Sequence, residues 1–143
     1  MRRSLPLLAL AALLTAAAAL SGCGHAEFAS GAAPGMGGLV SDAGLVVLDQ
    51  GSAENRYAGG TSAEWYEVGR EGSEDAGAVV FVLRFESQRD RDAAYRQVTH
   101  RMARRLPPAV VYTAGDAVIQ VGHIGDLGTA RDLDDALQEA GAQ

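Results

Sequence analysis

The chain has 143 residues, a formal net charge of −6, 48% hydrophobic residues, one Cys and one Trp. That length holds one modest domain, and a single thiol excludes both a disulfide framework and a cysteine-built metal cage. The acidic balance argues against nucleic acid as a partner, because phosphates select a basic surface. All 12 basic residues are Arg, with no Lys and few Asn or Ile. This is the mark of a G+C-rich gene, so arginine number alone says little about phosphate binding.

At the N-terminus Arg2 and Arg3 are followed by the apolar run Leu5–Leu20, which Pro6 interrupts near its start, and then by small residues up to Cys23. These are the parts of an export signal. The apolar run falls short of the roughly 20 residues that cross a bilayer. Leu20-Ser21-Gly22-Cys23 resembles the bacterial lipobox, which marks residues 1–22 as a signal peptide and Cys23 as the lipidated residue of a bacterial lipoprotein. The resemblance implies a diacylglyceryl group on the Cys23 sulfur and a protein anchored at the extracytoplasmic face of the cell membrane. Export by the general secretory route fits better than the twin-arginine route, since Met1 and Pro6 flank Arg2-Arg3 poorly for the latter. One acyl chain binds membranes marginally, whereas two anchor stably. The other reading of the same residues is an ordinary secretory signal cut near Ala19 or Gly22.

Cleavage before Cys23 leaves 10 Arg against 18 Asp plus Glu, a side-chain charge of −8. The charge is uneven, with 7 Arg and 3 acids in residues 84–105 and an excess of acids on either side. Residues 23–40 read as the lipidated Cys and a flexible Gly/Ala stalk, too poor in large apolar residues to offset ordering entropy. Some 15 residues of such chain span roughly 20 Å. His25 stands in it with no partner for a metal.

Residues 41–143 read as a single α+β domain. Leu45-Val46-Val47-Leu48 predicts a strand, and Trp65–Val68 a second that mixes aromatics with acids. Gly69–Gly77 predicts a polar loop. The clearest strand is Ala78–Phe85, where alternation places Val79, Phe81, Leu83 and Phe85 on one apolar side, expected to be the buried one, and Val80, Val82 and Arg84 on the other. Ser87 followed by Asp90 predicts a helix N-cap. From there Tyr95, Val98, Met102 and Leu106 form one stripe, with Arg89, Arg96, His100, Arg101 and Arg104 opposite and Asp92 placed to pair with Arg96. Pro107 and Pro108 end this helix.

Ala109–Thr113 and Ala117–Ile124 predict a hairpin turning at Gly115-Asp116. Thr129 with Asp132 predicts a second cap, and Ala130, Leu133, Leu137 and Ala140 a helical stripe ended by Gly141. From residue 78 the order is strand-helix-strand-strand-helix. The motif Arg89-Asp90-x-Asp92-x-Ala94 recurs as Arg131-Asp132-x-Asp134-x-Ala136, which suggests two similar units and a small antiparallel sheet with two helices on one face. Val79–Val98 and Ala117–Gly141 resemble the two halves of the SPOR domain. That likeness implies a ferredoxin-like arrangement and a peptidoglycan ligand, with the missing final strand to be supplied by the run at Leu45 or Trp65.

Function is less constrained than placement. His123 with Asp126, and His100 with nearby Asp residues, can be drawn as acid-base pairs, but neither is joined by a nucleophile and an orienting group. His123 is expected on a strand at a sheet edge and His100 on a solvated helix face. Phosphate-loop, dinucleotide and zinc-protease motifs are absent from the sequence, and Asp132, Asp134 and Asp135 lack calcium-loop spacing. The expectation is a non-enzymatic envelope lipoprotein without cofactor, touching the membrane through its lipid and peptidoglycan or an envelope protein through its domain. Replacing Cys23 by Ser is expected to move the protein from the membrane fraction to the medium, or to stall it with the signal attached. Fractionation with mass analysis of the N-terminus checks this.

Overall fold

The computed structural model describes residues 35–104 and 109–143. The signal peptide, Cys23, His25, Leu106 and Pro107-Pro108 lie outside the described residues. The elements in chain order are α1 (Met36–Asp42), β1 (Val46–Ala53), β2 (Gly60–Gly69), β3 (Ala78–Phe85), α2 (Gln88–Met102), β4 (Val110–Ala114), β5 (Ala117–Gly122) and α3 (Leu127–Glu139). The five strands form one antiparallel sheet in the order β1-β2-β3-β5-β4. The class is therefore α+β, as expected. The Trp65 run fills the position beside β3 that the chain after α3 does not supply, and the Leu45 run lies beyond it.

The central strands explain why the sheet is covered on both sides. On β3, Ala78, Val80 and Val82 are at most 1% exposed and pack with Leu133 and Leu137 of α3 and Leu39 and Val40 of α1. Its other side sends Leu83 and Phe85 to a second core with Ala94 and Val98 of α2 and Val118 of β5. This corrects two expectations. The deeper side of β3 is that of Val80 and Val82, and Val79, Phe81 and Leu83 are only half-buried. The helices α2 and α3 pack on opposite faces, because β3 is apolar on both sides and each helix takes one. The four-strand order β2-β3-β5-β4 is compatible with a ferredoxin-like sheet, but the helices are not both on one face.

Local chemistry sets the helix ends. The Ser87 hydroxyl accepts from the Asp90 N–H at 3.2 Å and donates to the Asp90 carboxylate at 2.7 Å, as a capping pair should. For α3 the cap is Asp126, not Thr129, whose side chain is instead buried over Gly77. Asp126 accepts from the N–H groups of Gly128 and Thr129 and from the Thr129 hydroxyl. The domain also begins earlier than the stalk boundary at 40 implied. Met36, Leu39 and Val40 are buried at helical spacing, and Gly44, with a positive φ of 70°, closes α1 with N–H bonds from Gly44 to Ser41 and from Leu45 to Val40. Gly141, with φ 84°, ends α3 in the same way.

The β4–β5 hairpin turns through Gly115 and Asp116 between the paired Ala114 and Ala117. Positive φ at Gly115 alone is the type II′ pattern. Arg84 bonds Asp116 at 3.1 Å and Arg91 reaches the Gly115 carbonyl, fastening the turn to β3 and α2. Across the other face the Tyr112 hydroxyl donates to Asp134 of α3. Burial and that carboxylate push the Tyr112 pKa up. Gln143 exchanges both backbone bonds with Thr113 on the outer edge of β4. No helix among the described residues is long and apolar enough to cross a membrane.

The bonds from the Thr129 hydroxyl, the Thr129 N–H and the Gly128 N–H, with a smaller contribution from Arg70, hold the Asp126 pKa down at about 2 from 3.8. A depressed carboxylate pKa stabilises the fold above the unfolded value and loses that contribution as pH falls through the folded one. Asp126→Asn keeps an oxygen cap but does not titrate. Thermal unfolding of the two proteins is therefore expected to differ most above pH 4, with the parent protein's advantage shrinking towards pH 2. A difference independent of pH over that range would contradict the assignment.

Candidate functional site

Helix width decides which part of the sheet stays open. Five strands at about 4.8 Å spacing set the outer two about 19 Å apart, whereas one helix with its side chains is about 10–12 Å across. On one face α1 and α3 lie in contact and cover the sheet between them. On the other, α2 alone packs on β3, β5 and β4. Among the described residues, no helix lies above the half of that face over β1, β2 and the start of β3.

Register identifies the residues on this open half, since cross-strand partners share a face. Gly51, Trp65, Phe81 and Gln120 form one row, and Asp49, Glu67, Val79 and Gly122 the next. Leu48 is the extra residue where the β1–β2 register slips, and it lies against Gly69 on the same side, 36% exposed. Trp65, Phe81 and Val79 are half-buried and join neither core. A Cβ on Gly51 would stand 2.7–2.8 Å from three atoms of the Trp65 indole. The ring therefore lies across the glycine, towards β1 and away from α2. Asp49 and Glu67 have no ion-pair partner among the described residues. The result is a shallow surface of two aromatic rings and two aliphatic side chains, bordered by two carboxylates and the Gln120 amide.

A separate recess lies between α1 and α3. It has a volume of about 720 Å³ and is lined by Asp42, Asp132, Asp135 and Glu139 with small residues. Asp132 is already bonded to Arg70 at 2.6 Å, and no group of three His, Asp, Glu or Cys among the described residues could hold a metal. Under the sheet edge, Tyr66 donates to Glu64 at 2.9 Å, and burial followed by that bond raises the Tyr66 pKa.

Two of the histidines, His100 and His123, lie among the described residues. His100 is exposed on α2, as expected. His123 is exposed just past the end of β5, in the left-handed region at φ 48°. It is a turn residue following an interior strand, and this corrects its expected place on an edge strand. On α2, Arg89, Arg96, His100 and Arg101 are exposed, as is Arg104 just past its end, while Asp92 bonds the adjacent Arg91 at 2.7 Å instead of Arg96. The Arg91 side chain is held inward by the Gly115 carbonyl, which places it beside Asp92. Arg101 sits 5.8 Å from the Tyr57 ring centroid. The repeated motif is not two copies of one role: Asp90 bonds the Ser87 cap of α2, whereas Asp132 pairs with Arg70.

Strand alternation alone does not mark Trp65 and Phe81 as candidate site residues. The available signal was the sole Trp in a strand with acids on both sides, but the glycine beneath it comes from β1. No family model matches the chain, and no curated protein or solved structure matches it.

Gly51→Ala would force the indole to move, since a Cβ there meets ring atoms and not backbone. Because the chain has one Trp, its emission reads this position alone. The expected outcome is a shift of the emission maximum with thermal stability changed little. An unchanged spectrum would show that the ring does not rest on Gly51.

Proposed function

We propose that this protein is a lipid-anchored, extracytoplasmic binding protein without catalytic activity of its own, and that the open half-face around Trp65 and Phe81 is its binding surface. The lipobox-like Leu20-Ser21-Gly22-Cys23 supports the placement. The observation that carries the binding surface is an indole laid across a glycine on a part of the sheet that no helix among the described residues covers. Flat aromatic rings present large apolar area at little cost in side-chain entropy, and polar groups at their rim fix the orientation of what stacks on them.

The chemistry of the rim narrows the ligand. Asp49 and Glu67 repel anionic polymers, but they accept hydrogen bonds from hydroxyl groups, and the Gln120 amide both donates and accepts. A neutral polyhydroxylated chain suits rings flanked by such groups, and the glycan of peptidoglycan is the polymer of this kind in reach of an envelope-tethered domain. The uncovered edge of β1 and exposed Leu48 favour a second reading, an accessory subunit that docks this face on an envelope protein.

Purified peptidoglycan separates the two. Retention of the protein on the wall material, with a change in Trp65 emission on adding soluble glycan fragments, is expected for the first reading. Trp65→Ala is expected to weaken retention about tenfold or more, on the scale of roughly 1–3 kcal/mol for a lost aromatic stack. No retention would remove the glycan reading, and crosslinking from Leu48 to one envelope protein would support the second.

A further inference from the structure

A different surface, the outer side of α2, carries charge that the fold does not use. Arg56, Arg70, Arg84 and Arg91 each pair with a carboxylate. Arg89, Arg96 and Arg104 have no such partner among the described residues, nor has the isolated Arg131 on α3. At 100° per residue Arg89, Ala93, Arg96 and His100 fall in one stripe about 60° wide, opposite the buried Ala94 and Val98, and Arg104 follows in the turn just past the helix end. The acids of the same helix are engaged elsewhere, Asp90 at the Ser87 cap and Asp92 with Arg91. The stripe is thus an uncompensated basic ridge on a domain that is acidic everywhere else, and no packing requirement explains it.

We infer that this ridge docks the domain on an anionic lipid surface. The inference rests on the anchoring part of the reading above, and independently on charge complementarity. Met36 follows Cys23 by 13 residues, so on that anchor the domain stays within at most about 45 Å of the attachment point. At that range an arginine ridge repeatedly enters the Debye layer of the bilayer, about 8 Å deep at physiological salt. Arginine forks match lipid phosphates, and each basic residue at an anionic surface raises partitioning about fivefold. Docked through α2, the domain sets the Trp65 face back from the lipid by about one helix diameter. Lipid contact and glycan contact then belong to different orientations of the tethered domain.

The test uses the lipidated full protein carrying Ala93→Cys, a position on the stripe between Arg89 and Arg96, labelled with an environment-sensitive fluorophore. A parallel sample carries the label at Gln138→Cys on exposed α3. Each is mixed with vesicles of phosphatidylcholine alone, or of phosphatidylcholine with 30% phosphatidylglycerol. The expected result is brighter, blue-shifted emission at position 93 on the anionic vesicles only. That response should be lost in 0.5 M NaCl and reduced at least tenfold in apparent affinity by Arg89→Gln with Arg96→Gln and Arg104→Gln. Equal emission on both vesicles, an equal response at position 138, or insensitivity to the three substitutions overturns the inference, as does a response to soluble polyphosphate but not to vesicles. Flotation reports separately on the anchor: protein that fails to float with neutral vesicles has no lipid, whatever the label at position 93 shows.

Discussion

A five-stranded sheet is wider than one helix, and most of this molecule follows from that mismatch. Two helices side by side, α1 and α3, cover one face as far as the end of β1, where Gln50 and Ser52 stay exposed; α2 covers only the part of the other face over β3, β5 and β4. The strands show the consequence in their composition. β5 is buried along almost its whole length, because it lies beneath helices on both sides. β1, at the far edge, is mostly exposed and has a bulge at Leu48. Burial thus falls from the centre of the sheet to the β1 edge, and the aromatic pair Trp65 and Phe81 stands where cover runs out.

The entry to β3 and the start of α3 approach closely at Gly77. Its N–H bonds the Val68 carbonyl, its carbonyl takes the N–H groups of Gly125 and Asp126, and a Cβ there would stand 2.6 Å from the Thr129 hydroxyl oxygen. Thr129, the only buried polar side chain among the described residues, satisfies its hydroxyl on Asp126. The entry to β3 and the start of α3 are therefore one hydrogen-bonded unit, with Arg70 of the preceding loop bound to Asp126 and Asp132 at its rim. A side chain at position 77 would separate the pieces that this unit joins.

What was readable in the sequence was local. The Ser87 cap, the turn at Gly115-Asp116, the stop at Gly141 and the alternation in Ala78–Phe85 each depend on residues within a few positions of one another. The rest depended on distant partners. α1 is a seven-residue helix with two glycines, too short to form on propensity, and it exists because Met36, Leu39 and Val40 find the core. The face that each helix takes could not be read from β3, since both of its sides are apolar. Asp126 and Thr129 are both good capping residues three positions apart, and only the cavity over Gly77 decides that Thr129 goes inside. The Trp65 surface needed the register across the Leu48 bulge to bring Gly51 beneath the indole.

A shallow face of two rings and a few polar groups does not make a tight site by itself. Small ligands gain affinity through enclosure, and this surface leaves one side of anything it binds in water. Tethering changes what such a face has to achieve. A domain anchored in the envelope meets a ligand fixed in the same layer at a raised effective concentration, so an interaction too weak to survive dilution is still occupied in place. On the proposed anchor, the shallow half-face is strong enough for its setting, and its weakness allows the domain to release and turn on its stalk. Burying Trp65 under a second helix on that side would stabilise the fold and remove the surface.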